Sequence, residues 1–254
     1  MDSEEVDSGA MLSAQSLISR SAKDAGLALR IVDAGLRAPM DNMVDYWIHR
    51  GTQFLPRKIQ AGTRNVIHEA AMTTSECHAA IAAGASLVEQ RYYAGSNTVA
   101  LAGTGSGSLQ ASRLLIAVLN DQPIIRFVST AEKRLPINKQ MQRAINRHPL
   151  SHDVVTNLTL YGGYETAMLT GAILQAAQRQ MFILLDGLPA LAAYTAAYLL
   201  HPEVIHYVRL SALYNEPAFE RSSLPFIIDN VLHDGRGVGA AFAFSMVKQA
   251  SRLL

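Results

Sequence analysis

What most constrains this chain is a repeated change of hydrophobic period. Short aliphatic or β-branched runs alternate with longer segments whose apolar residues recur at helical spacing. Runs that are apolar at nearly every position suit strands buried on both faces. Such strands alternating with helices give a parallel sheet covered by helices, so the fold class expected is α/β. The expected strands are 27–33 (LALRIVD), 97–103 (NTVALAG), 123–129 (PIIRFVS), 181–186 (MFILLD) and 204–210 (VIHYVRL). The clearest helix begins at Thr73, with Thr74, Ser75 and Glu76 in a capping pattern and Ile81, Ala85 and Val88 on one face. Further helices are expected over 108–120, 137–147, 164–180, 189–200 and 237–253, and the first 20 residues read as helix with a frayed start. Residues 38–67, where Pro39, Tyr46, Trp47 and Pro56 stand among charges without a sustained period, read as a small subdomain or arm on a single domain of 1–254.

Composition excludes several function classes. Hydrophobic residues at 49% supply a sizeable core, while charged residues at 17% fall below the ~25% usual for soluble domains, which favours a subunit contact over part of the surface. A net charge of +1, from 22 basic and 21 acidic residues without long runs, argues against nucleic acid or anionic membrane as a partner. The longest apolar stretch, 181–200, is broken by Asp186, Gly187 and Pro189, so no membrane span is expected. The acidic first residues lack the basic and apolar regions of a signal peptide, and the lone Cys77 fits a reducing compartment as a small buried residue; a cytoplasmic location is expected. Among the eight histidines i, i+4 spacing arises only by accident, no Cys/His cluster exists and no G-x-S-x-G elbow occurs, so neither a metal, a cofactor nor a serine-hydrolase triad is expected.

Two Gly-rich turns adjoin helix starts: AGTGSGS at 102–108 and DGRGVGA at 234–240. Glycines there let backbone N–H groups approach an anion, and a helix N-terminus adds partial positive charge, though either turn also serves as a tight connection. Ligands of open α/β sheets sit beyond the carboxyl ends of strands, which singles out Asp33, the 103–108 turn, Ser129, Asp186 and Ser211. Asp186 suits either a site carboxylate or a helix cap.

Seven blocks in order resemble the nicotinate-nucleotide:dimethylbenzimidazole phosphoribosyltransferases: RIVDAGL (30–36), RKIQAGTRN (57–65), EAAMTTSECHAAIAAG (69–84), YGGYETAMLTGAILQAA (161–177), ILLDGLPALAA (183–193), NEPAF (215–219) and GRGVGAAFAF (235–244). The resemblance implies a Rossmann-like parallel sheet with a small helical part and a homodimer. It also implies transfer of ribose phosphate from nicotinate mononucleotide to a benzimidazole nitrogen, in cobalamin lower-ligand synthesis. In the family a carboxylate takes the proton from the base, and the scheme needs no metal.

Set against that pattern, the position of the family's general-base Glu holds Arg236, whose guanidinium (pKa above ~12) accepts no proton at neutral pH. Leu101 stands where a second active-site Glu is expected, and Tyr214 replaces a serine before the Glu-Pro pair. The family's Asp-His-Gly-Val strand aligns upstream of residue 1, and Lys133 and Lys139 need a gap to match the family's lysines. The catalytic positions are therefore Arg236, with Asp234 or Asp186 as substitute bases. The substrate-binding set is Gly103, Gly105, Ser106, Gly163, Tyr214, Gly235, Gly237 and Gly239, and Glu165 of the family's GGxE pattern adds charge. Three readings follow: a phosphoribosyltransferase-like protein impaired in catalysis, a non-catalytic paralogue that binds a nucleotide or other anionic metabolite, or a structural partner subunit.

Overall fold

The computed structural model describes residues 17–37, 53–128, 136–149, 151–214, 216–229 and 236–253. In chain order these form α1 (Leu17–Ala25), β1 (Arg30–Asp33), β2 (Gln53–Pro56), α2 (Thr74–Tyr93), β3 (Thr98–Ala102), α3 (Ser108–Leu119), α4 (Pro136–Arg147), α5 (Val154–Tyr161) and α6 (Tyr164–Gln178). They continue with β4 (Phe182–Asp186), α7 (Leu188–Leu200), β5 (Val208–Ala212), α8 (Pro217–Glu220), β6 (Phe226–Ile228) and α9 (Val238–Ala250). β1 and β2 pair in parallel, and β3-β4-β5-β6 form a second, wholly parallel sheet in that order. The α/β class read from the sequence is the class observed.

Strand alternation distributes the core. On β4, Ile183 and Leu185 join the large apolar cluster with α6 and α7, while Leu184 points the other way, onto Ala240 and Ala243 of α9. Both faces of β4 are covered, which explains its unbroken apolar run. Helices α2 and α6 cross so closely that a Cβ on Gly84 would lie 1.8 Å from the Met168 carbonyl oxygen, and one on Gly171 would lie 1.9 Å from that of Ile81. The start of α2 is capped as its sequence promises: the Glu76 N–H donates to the Thr73 hydroxyl and the Thr73 N–H to the Glu76 carboxylate. Arg64, paired with Glu76 at 2.8 Å, holds its carboxyl down at about 2.

Two expectations are corrected. Over the described part of the strand expected at 123–129 there is no strand: Ile124–Phe127 form a 3-10 turn. Its apolar side chains obey a period of three, with Ile124 and Phe127 buried and Ile125 exposed, so the buried edge is that of a turn following Pro123. The strand placed at 204–210 is shifted, because Pro202–His206 is also 3-10 and β5 begins at Val208. Within the proposed arm, Gln53–Pro56 form β2 alongside β1, while residues 38–52 lie outside the described residues, as do 1–16 and Ser129. The sequence had not marked α5, whose N-cap is Asp153, nor the short α8 and β6.

Candidate active site

The carboxyl end of β3 is the natural starting point. Leu101 lies in β3, in register with Leu185, and the chain then turns at Gly103 and enters α3 through Gly107 (φ 77°), a left-handed conformation that glycine adopts without strain. Gly103 packs against the start of α6, where an added Cβ would come within 3.1 Å of Leu169 and 3.6 Å of Glu165. Glu165 sits in the first turn of α6 and lines a cavity of about 550 Å³ together with Gly103, Thr104, Arg236 and Gly237. Its Oε1 accepts from the Ser108 hydroxyl at 2.8 Å, so the first turns of α3 and α6 meet on one carboxylate. Burial raises the Glu165 pKa, against the opposing pull of the Ser108 bond and of its own backbone N–H. Gly163 makes this geometry possible, since a Cβ there would fall 2.2 Å from Glu165 Oε2.

A second polar cluster lies under α9. Asp186, fully buried at the end of β4, accepts from the Ser211 hydroxyl at 2.7 Å through Oδ1 and lies against the backbone N–H groups of Gly237, Gly239 and Ala240, while its Oδ2 is buried without a hydrogen-bond partner among the described residues. Burial raises its pKa and those donors oppose the rise. Tyr214 is buried beside it, and a Cβ on Gly239 would lie 2.7 Å from both Asp186 Oδ1 and the Tyr214 hydroxyl oxygen, so only glycine fits. Gly237 starts α9 in the left-handed region (φ 99°). The N-terminal amides of α9 are thus directed at an internal carboxylate.

The expected site residues therefore separate into groups. Gly103, Arg236 and Gly237 line the cavity with Glu165, and Gly163 lies against the Glu165 carboxylate; Asp186, Tyr214 and Gly239 form the buried cluster below α9; Gly105 and the exposed Ser106 belong to the turn into α3. Asp234 and Gly235 lie outside the described residues. Ser108 was not foreseen as a partner of Glu165; the GGxE pattern marked the acid, and nothing local marked the serine 57 positions away. A partly buried ion pair was also missed: Arg113 of α3, itself buried, donates to Glu216 at 2.7 Å and fixes the Glu-Pro turn against the helix. Among the described residues, no three His, Cys, Asp or Glu side chains are placed to hold a metal ion, and no helix is long and apolar enough to cross a membrane.

This arrangement can be set beside known proteins. The family model described as a phosphoribosyltransferase matches residues 6–254. The chain belongs to the nicotinate-nucleotide–dimethylbenzimidazole phosphoribosyltransferase family. A family member from Ralstonia nicotianae, bearing that name, is 32% identical over 250 residues, covering 90% of this chain and 66% of its own length. One from Dechloromonas aromatica is 30% identical over 255 residues, covering 92% and 68%. The crystal structure of the phosphoribosyltransferase from Thermus thermophilus superposes with a TM-score of 0.85 at 25% identity, over 95% of this chain and 72% of that one. The chain spans about two thirds of the length of the curated relatives it matches.

Proposed function

We propose that this phosphoribosyltransferase-family protein transfers the ribose phosphate of nicotinate mononucleotide to a benzimidazole nitrogen, with Glu165 as the proton acceptor. One observation carries the reading: the Glu165 carboxylate lines the cavity at the carboxyl end of β3, beside Gly103. In the reaction, one benzimidazole nitrogen attacks C1′ of the ribose and the C1′–N bond to the cationic nicotinate ring breaks, its electron pair returning to the ring nitrogen. The proton of the other benzimidazole nitrogen passes to Glu165. A carboxylate whose pKa is raised by burial is a stronger base near neutral pH than an exposed one. Arg236, which also lines the cavity, is a residue type suited to a phosphate, through paired N–H donors.

The position of Arg236 also favours a second reading, in which the chain holds the nucleotide without turning it over. Calorimetric titration with nicotinate mononucleotide, followed by a turnover assay with dimethylbenzimidazole, separates the two. Binding with turnover supports transfer, binding alone selects the holder, and failure to bind removes both. Glu165→Gln is expected to leave nucleotide binding within a few-fold and to lower turnover by ~10² to 10⁴; unchanged turnover would exclude Glu165 as the base.

A homodimer fits the same picture. Tyr198 and Leu199 near the end of α7 are 38% and 46% exposed, apolar surface that a second subunit would cover. The lone Cys77, free and buried, supports a reducing, cytoplasmic setting.

A further inference from the structure

A separate cavity, of about 310 Å³, lies between α3, α7, the 3-10 turn at Ile124–Phe127 and α8. It shares no lining residue with the cavity at Glu165. Helix α3 spans the gap between the two: Ser108, which donates to Glu165, opens the helix, and Asn120, which lines this pocket, caps its far end, ~18 Å away at about 1.5 Å per residue.

The interior of this pocket is apolar and partly aromatic. Ile116, Phe127, Leu191 and Ala218 line it and are buried. Tyr194, 7% exposed, adds a ring whose centre lies 5.9 Å from that of Tyr198 at the rim. Burial, and Tyr198 after it, pushes the Tyr194 hydroxyl up to about 12, so at neutral pH it brings no negative charge.

The mouth is cationic. Arg126 and Arg221 both line the pocket, and both are exposed. Each is steered by a neutral acceptor: Arg126 donates to the Gln122 side-chain oxygen, and Arg221 Nε donates to the Arg126 main-chain carbonyl at 3.4 Å. Among the described residues neither guanidinium pairs with a carboxylate, and no Asp or Glu lines the pocket. Two like charges drawn to one mouth by neutral partners repel each other, and an anion seated between them turns that repulsion into attraction on both sides. Ser222 and Ser223 bring hydroxyl groups to the same rim.

We propose that this pocket binds a small aromatic acid, with its ring among Phe127, Leu191 and Tyr194 and its carboxylate between Arg126 and Arg221. The apolar floor selects a ring over a bare inorganic anion, and the aromatic walls suit a planar one. The volume stands near the lower bound of small-molecule sites, ~300 Å³, which limits the ligand to one or two fused rings. The guanidinium forks match a carboxylate in shape as well as charge. This site stands apart from the transfer reaction proposed above and does not depend on it.

The test titrates the 254-residue chain with 2-naphthoate by calorimetry, beside the neutral 2-naphthamide. Saturable one-to-one binding of the acid is expected, with the amide at least about tenfold weaker, because it keeps the ring and loses the charge. Arg126→Gln and Arg221→Gln, both at exposed positions where the fold is not at stake, should each weaken the acid at least about tenfold and leave the amide unchanged. Nicotinate mononucleotide should not displace the acid, whether or not the transfer reaction takes place, since the two cavities have no residue in common. Absence of binding overturns the proposal, as do equal affinity for acid and amide, indifference to either arginine substitution, or displacement by the nucleotide. Tyr198 also belongs to the surface assigned above to a second subunit, so the titration is repeated across protein concentrations. Affinity that falls as subunits associate means that a second copy fills the pocket, and it too overturns the proposal.

Discussion

Two carboxyl groups at residue scale share a cause for their raised pKa values and differ in use. Asp186 is buried, accepts from the Ser211 hydroxyl and faces the backbone N–H groups at the start of α9, which pull against its raised pKa. Asp186→Ala would strand those donors and is expected to cost about 3 kcal/mol in urea denaturation. Asp186→Asn, which keeps an acceptor oxygen towards Ser211, should cost less. Glu165 has a single side-chain donor, Ser108, and faces the cavity. The folded chain holds the Glu165 proton to higher pH than the unfolded chain does. Stability from this group is therefore highest at acid pH and falls as pH rises from the ordinary carboxyl range, ~4.3, through the raised folded value. Thermal melts of Glu165→Gln should match the parent near pH 4 and exceed it at pH 8; a parent more stable than the variant at pH 8 would contradict this. The sequence marked both acids by their place after a strand or within GGxE. It could not assign their roles, because those depend on Ser108, Ser211 and the α9 amides, all distant in the chain.

At the scale of elements, the α2–α6 contact sets the tolerance of the core. Gly84 and Gly171 read only as members of Ala-rich helices until each is seen against a backbone carbonyl of the other helix. A methyl group at either point forces the helices apart. Gly171→Ala should therefore destabilise by about 2 kcal/mol or more, despite alanine's better helix propensity, measured as a lower urea midpoint at unchanged m-value. Element type was legible where a local signal was strong: the Thr73–Glu76 capping box marked α2, and the continuous apolar run marked β4. It failed over 123–129, where Ile124, Ile125 and Phe127 have strand-like composition but a turn's spacing, and at α5, whose apolar run had no period to distinguish it.

At the scale of the whole molecule, a nucleotide seated between α9, α6 and the β3 turn would bind the folded chain alone. Nicotinate mononucleotide at a hundred times its dissociation constant should raise the unfolding free energy by about 2.7 kcal/mol, read as a higher melting temperature. Glu165→Gln should retain that rise, since it removes the base and leaves Arg236. By itself the sequence determined the α/β class, most helices and the family, because periodicity, capping and ordered motif blocks are local in the chain. Only the tertiary structure decided that Glu165 faces the cavity and that Asp186 is enclosed beneath α9. Each of these depends on which distant segments pack together, and burial, which moves the carboxyl pKa values, exists only once they do.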